Sequence, residues 1–211
     1  MEGVGEQNTG VGTGNRWKIN RVLKCITLNA QSLKNKMVEL RALVDEKKPH
    51  IISVTESWGK DSVSDGMFSL RGYRMYRDDR TVKTGGGTIL YISEKLEQGI
   101  CRPMSTQDFE SSSWCWINEK RGKKILVGSV YRSTSSTDEN NALLLEKIRK
   151  AYEIAGDNRI LLLGDFNVPK VDWAEMGLLK GAKIIDCHML SVTEDCFFAP
   201  TCHRARKIQK R

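Results

Sequence analysis

Apolar and polar positions follow two rhythms along this chain, and the switches between them mark the elements. Val22 to Asn29 reads as a strand, after which Leu33, Met37, Leu40 and Val44 recur at helical spacing until Pro49 enforces a stop. Ile51 to Thr55 then reads as a second, buried strand. That order predicts a parallel pair joined by a right-handed crossover, with both strands covered by helix. The middle differs. Tyr73 to Arg77, Thr88 to Ile92, Trp114 to Asn118 and Ile125 to Tyr131 read as strands with no room for helices between most of them, so antiparallel hairpins are expected. The polar stretch from Glu119 to Lys124 suits a hairpin turn, because Gly122 tolerates positive φ. Asp138 is placed to cap a helix whose Leu144, Leu145, Ile148, Ala151, Tyr152 and Ala155 form one stripe, and Ile160 to Leu163 supplies another buried strand. Ile184, Ile185, His188, Met189 and Val192 repeat the helical period once more. Helices alternating with parallel and antiparallel strands predict an α/β protein: two mixed sheets packed together and flanked by helices.

Composition narrows this picture. A chain of 211 residues suits one domain, and 39% hydrophobic with 28% charged residues excludes wholesale disorder and a disulfide scaffold. No run approaches the roughly 18 apolar residues of a membrane span, and the first twenty residues hold no apolar leader block. The reading is therefore an intracellular protein with no membrane partner. Residues 1–20 are Gly-rich and polar and read as a flexible arm, residues 21–201 as the domain, and residues 202–211 as a basic tail. Six cysteines form no CxxC pair, and Cys25 and Cys115 fall in apolar runs where a reduced thiol packs well. The formal charge is +8, of which Arg204, Arg206, Lys207, Lys210 and Arg211 supply five. Such a tail reads either as a nucleic-acid contact or as a solvated end.

Candidate chemistry lies where polar residues end the strands. Asn29 ends the first strand, Glu56 follows the second, Tyr131 ends the hairpin strand, and Asp165 and Asn167 follow the run closed by Gly164. In layered α/β folds, ligand groups converge at the carboxyl edge of a sheet. Glu, Asp and Asn are hard oxygen donors that suit Mg²⁺. Taken singly, each position has a plainer role: Asp165 capping a turn, Asn29 capping the helix near Ser32, Tyr131 as a half-buried strand aromatic. Cys187, His188, Cys196, Cys202 and His203 fit no standard zinc spacing, and His50, His188 and His203 read as core or surface residues.

The segments Asn29-Ala30-Gln31-Ser32-Leu33, Glu56-Ser57-Trp58, Gly85-Gly86-Gly87-Thr88-Ile89-Leu90-Tyr91, Val130-Tyr131-Arg132-Ser133 and Leu163-Gly164-Asp165-Phe166-Asn167-Val168-Pro169, followed by Asp172-Trp173, appear in order. Together they resemble the endonuclease/exonuclease/phosphatase superfamily, and within it the apurinic-type endonuclease domain of non-LTR retrotransposons, over about residues 21–201. The resemblance implies a four-layer α-β-β-α sandwich and Mg²⁺-dependent phosphodiester hydrolysis that nicks DNA, with Mn²⁺ as a substitute metal. It implies Glu56, Asn29 and Asp165 as metal ligands, Asp165 also acting on the attacking water, Asn167 bonding the scissile phosphate and Tyr131 standing near it. Arg132, Asn167 and Thr201 become nucleic-acid contacts, DNA the partner, a nuclear location the corollary, and a reverse transcriptase the domain that would normally follow. The family's terminal Ser-Asp-His does not occur in the sequence, and the segment from Cys202 onward replaces its context. The expectation is a C-terminally truncated copy lacking the last strands and impaired in catalysis. Two alternatives stand beside it: an inactive nucleic-acid-binding remnant, and a phosphatase of the superfamily acting on a lipid or nucleotide.

Overall fold

The computed structural model describes residues 23–80, 85–96, 102–103, 109, 111–119 and 122–198; the expected arm, the basic tail and Thr201 lie outside the described residues. Two four-stranded sheets make the frame. The first has the order β1 (Cys25–Asn29), β2 (Ile51–Thr55), β4 (Thr88–Ser93), β3 (Tyr73–Asp78). The second runs β5 (Arg102–Pro103), β6 (Ser112–Asn118), β7 (Lys124–Tyr131), β8 (Arg159–Asp165). In each sheet one parallel pair, β1·β2 or β7·β8, adjoins antiparallel pairs, so both sheets are mixed.

Helices α1 (Met37–Lys47), α3 (Asp138–Ala155) and α4 (Ile184–Thr193) cover the outer faces; a one-turn α2 (Asp65–Phe68), the paired strands β9 (Val171–Asp172) and β10 (Gly177–Leu178), a 3-10 turn at Glu94–Leu96 and a π-helical turn at Glu194–Phe198 are also among the described elements. Three apolar layers follow from the strand alternation. Met37, Leu40 and Val44 of α1 pack on Ile52, Val54, Ile89 and Tyr91. Ile51, Leu90 and Ile92 face Cys115, Ile117, Ile125 and Val127 between the sheets. Leu144, Leu145, Ile148 and Ala151 of α3, with Ile185, Met189 and Val192 of α4, cover Trp114, Leu126 and Val130. The result is the expected four-layer sandwich, and each such fully buried aliphatic stabilises it by about 1.5–3 kcal/mol. Ser53 Oγ and Ser129 Oγ meet between the sheets at 2.7 Å, and Thr88 Oγ1 meets Ser113 Oγ at 2.8 Å, so the buried hydroxyls satisfy one another.

Several local expectations are corrected. Helix α3 is capped by Thr137, whose hydroxyl accepts from Asn140 N at 3.3 Å, while Asp138 is already helical. The run Leu33–Lys36 is a 3-10 turn ahead of α1. Among the described residues β1 lies at the sheet edge with one open face, so Cys25 is exposed; Cys115 is buried as expected. Ile160–Leu163 is half-buried because β8 pairs only with β7 among the described residues. The buried face of α4 comprises Ile185, Asp186, Met189, Leu190 and Val192, leaving Ile184 and His188 exposed. The hairpin at Gly122 forms with φ +74°, and Glu119 N donates to Lys123 O at 2.7 Å. No helix among the described residues is long and apolar enough to cross a membrane.

Candidate functional site

Strand register brings the site together. Asn29 lies opposite Thr55 at the carboxyl ends of β1 and β2, so the chain leaving β2 places Glu56 beside Asn29. In the other sheet Tyr131 lies opposite Asp165 at the carboxyl ends of β7 and β8. Because the sheets are stacked, these two edges meet. Asn29 Nδ2 donates to Glu56 Oε1 at 2.8 Å and to Asp165 Oδ2 at 3.2 Å, spanning 136 residues of sequence. The Tyr131 phenol donates to Glu56; burial, the Glu56 charge and that bond push its pKa above the ordinary value, with a smaller push from Asp165. It therefore stays protonated as a donor.

The loops that carry these groups are tightly constrained. Ser32 N donates to Glu56 O and Leu33 N to Ser57 O, lacing the segment after β1 to the segment after β2. On its other side that segment is held by the glycine run: Ser57 N donates to Gly87 O and Trp58 N to Gly86 O. Gly85, Gly86 and Gly87 all have φ between +77° and +85°, and a Cβ on Gly87 would come within 2.7 Å of Ser57 Oγ. Glycine is needed there for both conformation and space. Gln31, Ser32, Glu56, Trp58 and Asn167 also have positive φ, a concentration of costly backbone conformations around one small region.

Asn167 takes up its place through three bonds. Its N donates to Asp165 Oδ1 at 3.3 Å, its Nδ2 donates to Arg132 O at 2.7 Å, and its carbonyl accepts from Arg132 Nη1 at 3.0 Å. Arg132 is only 5% exposed and its guanidinium is turned inward, its Nε donating to Asn141 Oδ1 at 2.7 Å. Beside Asp165 and Asn167 opens a cleft of about 690 Å³ walled by Phe166, Trp173 and Ile185, with Lys170 and Lys183 in its lining. Arg132 also forms part of the wall of this cleft.

Glu56, Asp165, Asn29, Tyr131 and Asn167 thus converge, while Thr201 lies outside the described residues. Reading the sequence missed Asn141 and Asp186, both buried. Asp186 had a signal, an acid next to Ile185 on an apolar helix; Asn141 had none. No group of three or more His, Cys, Asp or Glu among the described residues is arranged to hold a metal alone. The donors present nonetheless fit Mg²⁺, which takes one or two carboxylates and fills its remaining positions with water and substrate phosphate. The two carboxylates that Asn29 bonds, those of Glu56 and Asp165, are of this kind.

Comparison with known proteins agrees with the geometry. The profile of the Endonuclease/Exonuclease/phosphatase family matches residues 26–204, so the chain belongs to that family. No curated protein sequence matches it. Among solved structures it is similar to the AP endonuclease LMAP from Leishmania major, with TM-score 0.67 and 16% identity, over 81% of this chain and 66% of that one. It thus spans just under two thirds of that enzyme. It is also similar to the endonuclease domain of TRAS1, a telomere-specific non-LTR retrotransposon, with TM-score 0.57 and 16% identity over 81% and 71% of the two chains. The 3'-5' exonuclease NExo from Neisseria meningitidis gives TM-score 0.56 and 15% identity, over 80% and 70%. At these identities the likeness establishes the fold.

Proposed function

We propose that this chain hydrolyses phosphodiester bonds of DNA with a divalent cation, Mg²⁺ or Mn²⁺, as a strand-nicking endonuclease of the retrotransposon type. The observation that carries the reading is the Asn29 amide held between Glu56 and Asp165 across the two sheets. Glu56 and Asp165, with Asn29, are the groups that would hold the cation; when bound, it stabilises charge on the phosphate oxygens and lowers the pKa of a nearby water. Asp165 accepts the proton of the attacking water, a task for which its Oδ1 is already oriented by the Asn167 N–H. One amide N–H of Asn167 is spent on Arg132 O, leaving the other for a phosphate oxygen. Tyr131, kept protonated, spends its one O–H on Glu56 and so orients that carboxylate. A DNA partner is supported by neighbours whose names are those of DNA-processing nucleases; a nuclear location and a companion reverse transcriptase rest on the same reading.

The reading is tested by offering supercoiled plasmid, a phosphoinositide and a nucleoside monophosphate, each in Mg²⁺ and in EDTA. Plasmid nicking in Mg²⁺ alone supports it, and hydrolysis of the phosphoinositide or nucleotide without nicking replaces it with the phosphatase reading. A second reading, a chain that binds nucleic acid without cutting it, is favoured by the placing of the histidines. His50 accepts from Lys24 N at 3.0 Å at the opposite end of β2, His188 is exposed on α4, and His203 lies outside the described residues. DNA retention without nicking supports that alternative.

A further inference from the structure

Beneath the Asp165–Asn167 loop lie three buried polar residues from three elements. Arg132 follows β7, Asn141 lies in the first turn of α3, and Asp186 lies in the first turn of α4; they are 5%, 7% and 2% exposed. A buried guanidinium is costly unless its donors are spent and its charge is answered. Here Nε is spent on Asn141 Oδ1, and Nη1 on Asn167 O at 3.0 Å with a longer bond to Phe166 O at 3.4 Å. Burial pulls the Arg132 pKa below its ordinary value, and the Asp186 carboxylate opposes that shift without reversing it. Asp186 is itself fixed by accepting from Lys183 N at 2.7 Å.

The main chain of Arg132 grips the same loop. Its N donates to Asp165 O at 2.9 Å and its O accepts from Asn167 Nδ2 at 2.7 Å. Residue 132 therefore bonds to Asp165, Phe166 and Asn167 in turn, with Asn167 in the left-handed region at φ +49°. That conformation persists only where the surroundings over-determine it. The forked, planar guanidinium is suited to the task because it reaches a side-chain amide and two carbonyls at once, which a lysine ammonium on a flexible stem does not reproduce.

We infer that Arg132, bonded to Asn141, is a positioning residue that holds Asp165 and Asn167 in their reactive geometry. The inference rests on the proposed nuclease reading for its effect on rate, but the geometry it asserts has a test of its own. Full-length wild type, Arg132→Lys, Arg132→Gln and Asn141→Ala are compared by nicking at saturating plasmid, by DNA affinity in EDTA over a salt series, and by amide exchange of the 163–170 segment. The expected result is nicking slowed about 10–100-fold in Arg132→Lys and Asn141→Ala, as misplacement by about an ångström produces. Exchange in 163–170 quickens while β2 stays protected, and the salt slope of Arg132→Gln equals that of wild type. A salt slope reduced by about one in Arg132→Gln would mean a phosphate contact and overturn the inference. Unchanged exchange in Arg132→Lys and Asn141→Ala would overturn it equally. Wild type that nicks no DNA refutes the nuclease reading instead, and the exchange measurement still decides the positioning.

Discussion

Asn29 Nδ2 sits 2.8 Å from Glu56 Oε1 and 3.2 Å from Asp165 Oδ2, so one side-chain amide joins the edges of two sheets. Its two N–H groups are directed at two carboxylates that would otherwise face each other as like charges. Asn29→Ala removes the bridge and leaves both acids without it. Plasmid nicking is expected to fall about 10–100-fold, with a higher Mg²⁺ concentration at half-maximal rate. A metal titration of the variant checks both effects.

Gly164 allows β8 to deliver Asp165. Its φ is +137°, and a Cβ there would lie 1.9 Å from Val130 O. Gly164→Ala is expected to destabilise the fold by about 3 kcal/mol or more, combining backbone strain with a clash against main chain that cannot swing away. Gly72 has a similarly left-handed φ of +79° but nothing within 4 Å, and Gly72→Ala should cost only about 1 kcal/mol. Urea unfolding of the two variants separates space from conformation.

The hydroxyls of Ser53 and Ser129, both fully buried, satisfy each other at 2.7 Å. Ser53→Ala or Ser129→Ala alone strands one hydroxyl between the sheets at a cost of about 1–3 kcal/mol. The double variant strands none and should cost less than the sum of the singles. A double-mutant cycle by urea unfolding reads the difference.

Tyr91 is fully buried and donates to Phe68 O at 2.7 Å, and burial pushes its pKa well above the ordinary value. A phenol held protonated in the fold contributes stability that is complete below its unfolded pKa of about 10 and is lost as pH rises toward the folded value. The expected slope above pH 10 is about 1.4 kcal/mol per pH unit for such a group. Tyr91→Phe should be less stable at pH 8 but lose stability less steeply above pH 10, as thermal melts at a series of pH values would record.

Most of the layer order was legible because α1 and α3 repeat apolar residues at helical spacing, β2 and β7 are nearly continuous apolar runs of strand length, and Pro49 marks where α1 must end. The strand ends then pointed to Asn29, Glu56, Tyr131, Asp165 and Asn167 without any knowledge of distance. What stayed hidden depends on neighbours distant in sequence. Nothing local distinguishes Thr137 from Asp138 as the cap, since both side chains can serve. The open face of β1 follows from its place at the sheet edge, which no pattern in Cys25–Asn29 declares. Arg132, next to a site tyrosine and basic, reads as a ligand contact. Only the approach of Asn141 and the Asn167 carbonyl turns it inward.

If Glu56 and Asp165, from different sheets, serve one phosphodiester-cleaving site, removing either carboxylate must abolish cleavage. The most direct measurement follows conversion of supercoiled plasmid to open circle by wild type, Glu56→Ala and Asp165→Ala, in Mg²⁺ and in EDTA, with folding of each confirmed by circular dichroism. Wild type is expected to nick in Mg²⁺ alone, and each variant to lose about 100-fold or more. Nicking that persists in EDTA, or in folded Glu56→Ala and Asp165→Ala, would contradict such a site.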